Sequence, residues 1–134
     1  MAHRLEIKVR FYEIDPYGHL NHSAFIQYFE TGRVELLEEV GLGLSHFREQ
    51  GYQFVVSGIE TDFLKTVHEG DTVIVETEVI ELRRASSIWQ QRLLRDGEVV
   101  ARQKVRAAIT DDNGKPTRPP DTLEETLRPY FADS

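Results

Sequence analysis

From residue 9 to residue 33 the chain reads Val9-Arg10-Phe11-Tyr12-Glu13-Ile14-Asp15-Pro16-Tyr17-Gly18-His19-Leu20-Asn21-His22, followed by Phe25, Tyr28, Phe29, Glu30 and Arg33. Asp15 is the group of most interest. A carboxylate can attack an electrophile or take a proton from water, provided that a partner stabilises the charge that develops. The residues after Asn21 have helical spacing, and the first amides of a helix lack partners within it, so they form an electropositive end. A carboxylate beside such an end is an arrangement for hydrolysis. An Asp before Pro also orders turns through side-chain to backbone bonds, and the residue types leave both duties open for Asp15.

The neighbours divide in the same way. His19 either positions water or holds the loop by bonding backbone. Asn21 stands before the helix, where its side chain can accept from an orphan amide, a bond worth about 1 kcal/mol. Asp15, His19 and His22 are residue types that bind iron or zinc. Their spacing is not that of a His-Glu-x-x-His helix, and no metal is expected. Glu30 and Arg33 stand three apart and are expected to pair on one helix face.

A strand, a turn-rich loop and a helix must position these groups. Residues 5–11 alternate apolar and polar side chains, as a strand with one buried face does. Residues 12–21 contain Pro16, Gly18 and Asn21 and are read as a loop. Over residues 22–40 Phe25, Phe29, Leu36 and Val40, with Ile26 and Leu37 beside them, form an apolar stripe on a long helix. Gly41-Leu42-Gly43 stops it, and Gly32 within it costs about 1 kcal/mol relative to Ala, which points to another backbone passing close.

Residues 44–49 add one helical turn. Residues 53–64, 72–82, 87–94 and 99–110 are rich in Val, Ile, Thr and aromatics and read as strands. Asp96-Gly97 suits a type I′ hairpin, Asn113-Gly114 and the following prolines close the sheet, and residues 122–127 form a terminal helix. Strand, loop, long helix and four strands together predict an antiparallel sheet around one central helix.

Composition narrows the function. The 134 residues fit a single domain, taken as 1–134. A formal net charge of -7 argues against nucleic acid, which demands a concentrated positive surface. With no cysteine there is no disulfide, thiolate site or cysteine nucleophile. Met1 leads directly into a charged strand-like segment, and no run of about 18 apolar residues follows. A cytoplasmic protein without a membrane partner is therefore expected.

The segment Asp15-x-x-Gly18-His19-Leu20-Asn21-x-x-x-Phe25, with Tyr28-Phe29-Glu30-x-x-Arg33, resembles the acyl-CoA thioesterases of the 4-hydroxybenzoyl-CoA thioesterase type. Phe63-Leu64-Lys65, Glu69-Gly70-Asp71, residues 83–87 and Gly114-Lys115-Pro116 are similar to later landmarks of that family, in the same order. The resemblance implies an α+β hotdog fold, a curved antiparallel sheet wrapped around one long central helix, and a homodimer or homotetramer with sites between subunits. It implies hydrolysis of an acyl-CoA substrate without a cofactor. Asp15 would be nucleophile or general base, and the helix start would be the oxyanion site.

Under this resemblance Gly18, His19, Asn21, His22 and Tyr28 fall in the substrate-binding or oxyanion region. Phe25, Tyr28 and Trp89 either line an acyl tunnel or are core. Coenzyme A carries phosphates, and Arg83-Arg84-Ala85-Ser86-Ser87 joins two charges to two hydroxyls at a turn. Arg83, Arg84, Ser86 and Ser87 are therefore the expected CoA contacts, with Lys65, Lys104 and Arg106 behind them. The chain departs from the family in having His22 where a second Asn is frequent, a bulky Tyr17, and Thr66 in place of a frequent Pro. Two alternatives are an acyl-carrier-protein thioesterase and a hotdog protein that binds acyl-CoA without cleaving it. Hydratases of this fold place His five residues after Asp, where this chain has Leu20.

Overall fold

The computed structural model describes residues 1–133. Strand β1 (His3–Lys8) leads through a 3-10 turn (Phe11–Glu13) and a loop into helix α1 (His22–Glu39). Helix α2 (Leu44–Glu49), strands β2 (Gln53–Phe63), β3 (Thr72–Leu82), β4 (Ser86–Arg95) and β5 (Glu98–Thr110), and helix α3 (Thr122–Leu127) follow. The strands make one five-stranded sheet in the order β1-β3-β4-β5-β2, antiparallel throughout. Asp96 and Gly97 both have positive φ, 52° and 79°, as the tight β4–β5 hairpin demands.

Strand β1 ends earlier than its alternation predicts. Lys8 pairs with Thr72, the first residue of β3; beyond it Val9 bonds only the turn before β3, its N–H donating to Asp71 O (2.9 Å), and the chain turns at Phe11. Helix α3 ends at Leu127, where the residue types place its end, and a 3-10 turn (Arg128–Tyr130) follows it. Gly41, at φ +81°, follows α1, where its left-handed conformation terminates the helix.

One face of α1 packs on the sheet and buries Phe25, Phe29, Leu36 and Leu37. Phe25 and Phe29 join Val73, Val75, Leu93 and Val100 in one apolar cluster. Leu36 and Leu37 join Phe47 of α2, Trp89, Val105 and Leu127 of α3 in a second, so the two short helices help to close that end.

A polar row separates the clusters. Thr77, Gln91, Gln103 and Thr61 stand in register across β3, β4, β5 and β2, and Gly32 and Arg33 of α1 face them. Gln91 Nε2 donates to Phe29 O (2.7 Å) and Thr77 Oγ1 (2.9 Å). Gln103 Nε2 donates to Thr61 Oγ1 (2.9 Å). Gly32 is needed here, but no backbone crosses it. A Cβ at this position would lie 2.6 Å from Val75 Cγ1, 3.0 Å from Thr77 Oγ1 and 3.2 Å from Gln91 Nε2. The close neighbours are side chains.

Candidate active site

The loop between β1 and α1 is held together by its own backbone, and Asp15 is its centre. Asp15 Oδ1 accepts the amides of Tyr17 (2.9 Å) and His19 (3.1 Å), while its own N–H donates to His19 O (2.7 Å) and its carbonyl accepts from Gly18 N–H (3.0 Å). Gly18 makes the reversal at φ +83°, a region costly for residues with a Cβ. Asp15 therefore orders the turn with one oxygen. Its other oxygen, Oδ2, has no hydrogen-bond partner among the described residues, so the turn leaves one carboxylate oxygen unused.

The loop is anchored on both sides. Leu20 N–H donates to Val67 O (2.6 Å), Asn21 N–H to Glu13 O (2.9 Å), and the His19 ring packs edge-on against His68 at 5.2 Å. Asn21 is the N-cap of α1: its Oδ1 accepts from Ser23 N–H (3.0 Å) and Ser23 Oγ (2.8 Å), and its carbonyl accepts the amides of Ala24 and Phe25. From Tyr17 to Phe25 every amide except that of His22 thus has a partner among the described residues. His22 is exposed, and a first-turn amide without an intrahelical partner can donate to an external acceptor.

His22 and Asp15 line the same open cleft, of about 280 Å³, with His19, Leu20, Phe25, Phe63 and Lys65. Phe63 contacts the rings of Phe25 (5.3 Å) and His22 (6.4 Å). Lys65 reaches Glu98 (2.9 Å) and brings a cation to the rim. Asp15, the first residue of α1 and an aromatic wall share this cleft. Among the described residues no group of three His, Cys, Asp or Glu side chains is placed to hold a metal ion.

Three expected contacts are corrected. Tyr28 is 2% exposed and does not line the cleft. Its hydroxyl donates to Glu13 Oε1 at 2.6 Å, and burial, reinforced by that bond, pushes it well above the usual phenol range. It ties α1 to the segment before the loop. Ser87 is fully buried; its Oγ donates to Ala107 O (3.0 Å) and accepts from Trp89 Nε1 (2.8 Å), leaving nothing for a phosphate. Arg33 does not pair with Glu30: its Nη1 donates to Oε1 of Gln91 and of Gln103, both at 2.8 Å.

Arg83 and Arg84 are exposed at the β3–β4 turn and line another cleft with Arg118, a cation the sequence reading passed over. Arg83 also pairs with Glu81 (3.1 Å), and its N–H closes the turn onto Ser86 O (2.8 Å). This turn lies at the opposite end of β3 from Asp71, which meets Val9 beside the Asp15 loop. Ten residues of strand separate the two ends by ~30 Å. Arg83 and Arg84 therefore do not face Asp15 of their own chain.

Sequence reading also missed what backs the loop. His68 N–H donates to Asp71 Oδ2 (2.9 Å), and Arg95 Nη1 reaches the same oxygen (3.2 Å) and Thr66 O (2.7 Å). The His68 amide, followed by Arg95, holds the Asp71 carboxyl below the usual carboxylate range. A folded-state value below the unfolded one means that the contribution is present above the unfolded value and lost as pH falls through the folded one. Wild type should lose melting temperature as pH drops below about 4, and Asp71→Asn should lose less over the same steps. Asp71 is partly exposed, so the difference is modest. Equal acid limbs in thermal melts would remove Asp71 from this role.

Comparison with known proteins agrees with the geometry. The family model described as the thioesterase-like superfamily matches residues 9–127. A chloroplastic acyl-acyl carrier protein thioesterase of Arabidopsis thaliana is 26% identical over 123 residues, covering 90% of this chain and 65% of the relative; the chain thus spans just under two-thirds of that relative's length. An acyl-CoA thioesterase of Haemophilus influenzae is 28% identical over 106 residues, 78% of each chain. A thioesterase of Thermus thermophilus solved with coenzyme A and zinc superposes with a TM-score of 0.80 at 27% identity, covering 95% of this chain and 92% of that one. No helix of the described residues is long and apolar enough to cross a membrane. With its family landmarks, its antiparallel sheet and this match over most of its length, the chain belongs to the thioesterase-like superfamily.

Proposed function

We propose that the chain hydrolyses acyl-CoA thioesters to free acid and CoA in the cleft between the β1–α1 loop and the end of β2. The observation that carries this reading is the pairing of a free carboxylate oxygen on Asp15 with the open amide of His22. The thioester carbonyl enters with its oxygen toward His22 N–H, and the α1 dipole favours the negative charge formed there. Asp15 Oδ2 then acts in one of two ways. As nucleophile it attacks the carbonyl carbon, CoA leaves as thiolate, and water cleaves the resulting anhydride. As general base it takes a proton from water, the hydroxide adds to the carbonyl carbon, and the intermediate expels CoA as thiolate, which recovers that proton.

Coenzyme A and acyl carrier protein present the same phosphopantetheine thioester, and the Arabidopsis relative is named for the carrier. The net charge of -7 opposes an acidic carrier and favours the CoA ester. Thiol release measured with one acyl group on each carrier decides between them. A kcat/KM at least about tenfold higher for CoA is expected; the reverse order would make the carrier protein the substrate.

The remaining CoA contacts follow from assembly. β2 is an edge strand with exposed Val55, Ile59 and Phe63, whereas the other edge, β1, is guarded by Arg4, Glu6 and Lys8. In this reading the sheet curls around α1 as a central helix and two copies join along β2. Arg83, Arg84 and Ser86 would then serve a site that includes the partner subunit. Light scattering should give at least the mass of two chains, and an active monomer would overturn the assembly.

A further inference from the structure

Arg33 is a mostly buried cation that makes no close ion pair among the described residues, although the nearby Glu30 carboxylate acts on it electrostatically. It is 9% exposed, and only its Nη1 is bonded, to two neutral glutamines. Nε and Nη2 have no hydrogen-bond partner among the described residues. Glu30, one turn earlier, is exposed and forms no ion pair with it. Guanidinium donors match carboxylate oxygens in a planar fork.

Arg33 lines a second pocket, of about 220 Å³, between α1 and β2. Val34, Leu37, Phe54, Val56 and Trp89 line it, and Arg33 and Glu30 are its charged members. A mostly apolar pocket with a guanidinium in its wall suits an apolar stem that ends in an anion, Glu30 being the one lining charge that opposes it. The pocket lies along the same two elements as the Asp15 cleft. His22 and Arg33 are eleven residues apart on α1, ~16 Å of helix, a span for an acyl chain of medium length.

We propose that this pocket takes the far end of the acyl group and that Arg33 pairs there with a terminal carboxylate, so that the preferred substrates are thioesters of medium-chain dicarboxylic acids. The assignment rests on the thioester-hydrolase reading and adds the substrate class to it. The test is calorimetric titration of wild type, Arg33→Gln and Val56→Phe with dodecanedioate and with dodecanoate, together with hydrolysis of the corresponding CoA monoesters. Wild type should bind the diacid at least about tenfold more tightly than the monoacid, the effect of one charge-assisted bond. Arg33→Gln should abolish the preference while keeping monoacid affinity. Val56→Phe, on the β2 edge proposed as the subunit seam, narrows the pocket without touching the Arg33 bonds and should weaken both acids while light scattering shows the assembly kept.

Equal wild-type affinity for the two acids, or an equal loss of both in Arg33→Gln, overturns the proposal. Should Arg33→Gln fail to fold, Val56→Phe decides, since unchanged diacid binding in that variant also overturns it. Selective diacid binding without hydrolysis of either ester would sink the thioesterase reading and leave the pocket assigned. Hydrolysis that shows no preference for the dicarboxylic ester would do the opposite.

Discussion

Asp15→Asn should lower kcat for acyl-CoA hydrolysis by at least about 10²-fold while leaving the fold and substrate affinity nearly unchanged. The structure makes this substitution a clean one. Asp15 Oδ1 accepts two amides within its own loop, and an Asn carbonyl accepts them equally well, because Asn serves such turns as Asp does. The amide nitrogen then replaces Oδ2, the free oxygen, and can neither attack a carbonyl nor take a proton from water. Loss of activity with an unshifted melting temperature would therefore report the chemistry and not the turn. Full turnover in a folded variant would leave Asp15 as a turn residue and favour the reading in which the chain binds acyl-CoA without cleaving it.

The second large effect is one of packing. Gly32→Leu should destabilise the protein by about 3 kcal/mol or more, because even a Cβ meets Val75 Cγ1 at 2.6 Å and the polar atoms of Thr77 and Gln91 stand beside it. Leu is the better helix former by somewhat less than 1 kcal/mol, so propensity alone predicts the opposite sign. Overpacking wins because the atoms struck belong to a filled core whose Gln91 is fixed by bonds to Phe29 O, Thr77 and Arg33. Thermal melting should fall by roughly 10 °C or more. Gln27→Ala, at an exposed position of the same helix, should change little. A melting temperature equal to that of wild type in Gly32→Leu would show that α1 lifts from the sheet without cost.

Local features of the fold were legible in the chain itself. Asn21 before an apolar stripe marks the start of α1, Gly41 its end, and Asp96-Gly97 the β4–β5 hairpin, because each requirement is met by residues close in sequence. The bounds of β3 and α3 agree with the residue types for the same reason. The end of β1 was not legible. Its alternation runs on to Phe11, and only the position at which β3 begins determines where pairing stops.

The site divides along the same line. Asp15, Gly18 and Asn21 act on neighbours within a few residues and could be read from the loop. Tyr28 could not, because its partner Glu13 is brought to it by the folding of the loop onto α1. Arg33 reads as a partner for Glu30 until Gln91 and Gln103, far along the chain, fall into register beneath it. Ser87 reads as an exposed turn hydroxyl, but strand pairing places it inside the sheet opposite Ala107. Features set by strand register stay hidden to a reading of local residue types.

The central claim is that a thioester is cleaved between Asp15 and the start of α1. It is tested most directly by a crystal structure of the Asp15→Asn variant, slow enough to retain an intact acyl-CoA. The account predicts the thioester carbonyl oxygen at about 2.7–3.2 Å from the His22 amide, with the side chain at position 15 facing the carbonyl carbon or a water beside it. A thioester bound in the cleft of Arg83, Arg84 and Arg118, with the β1–α1 loop untouched, would contradict it.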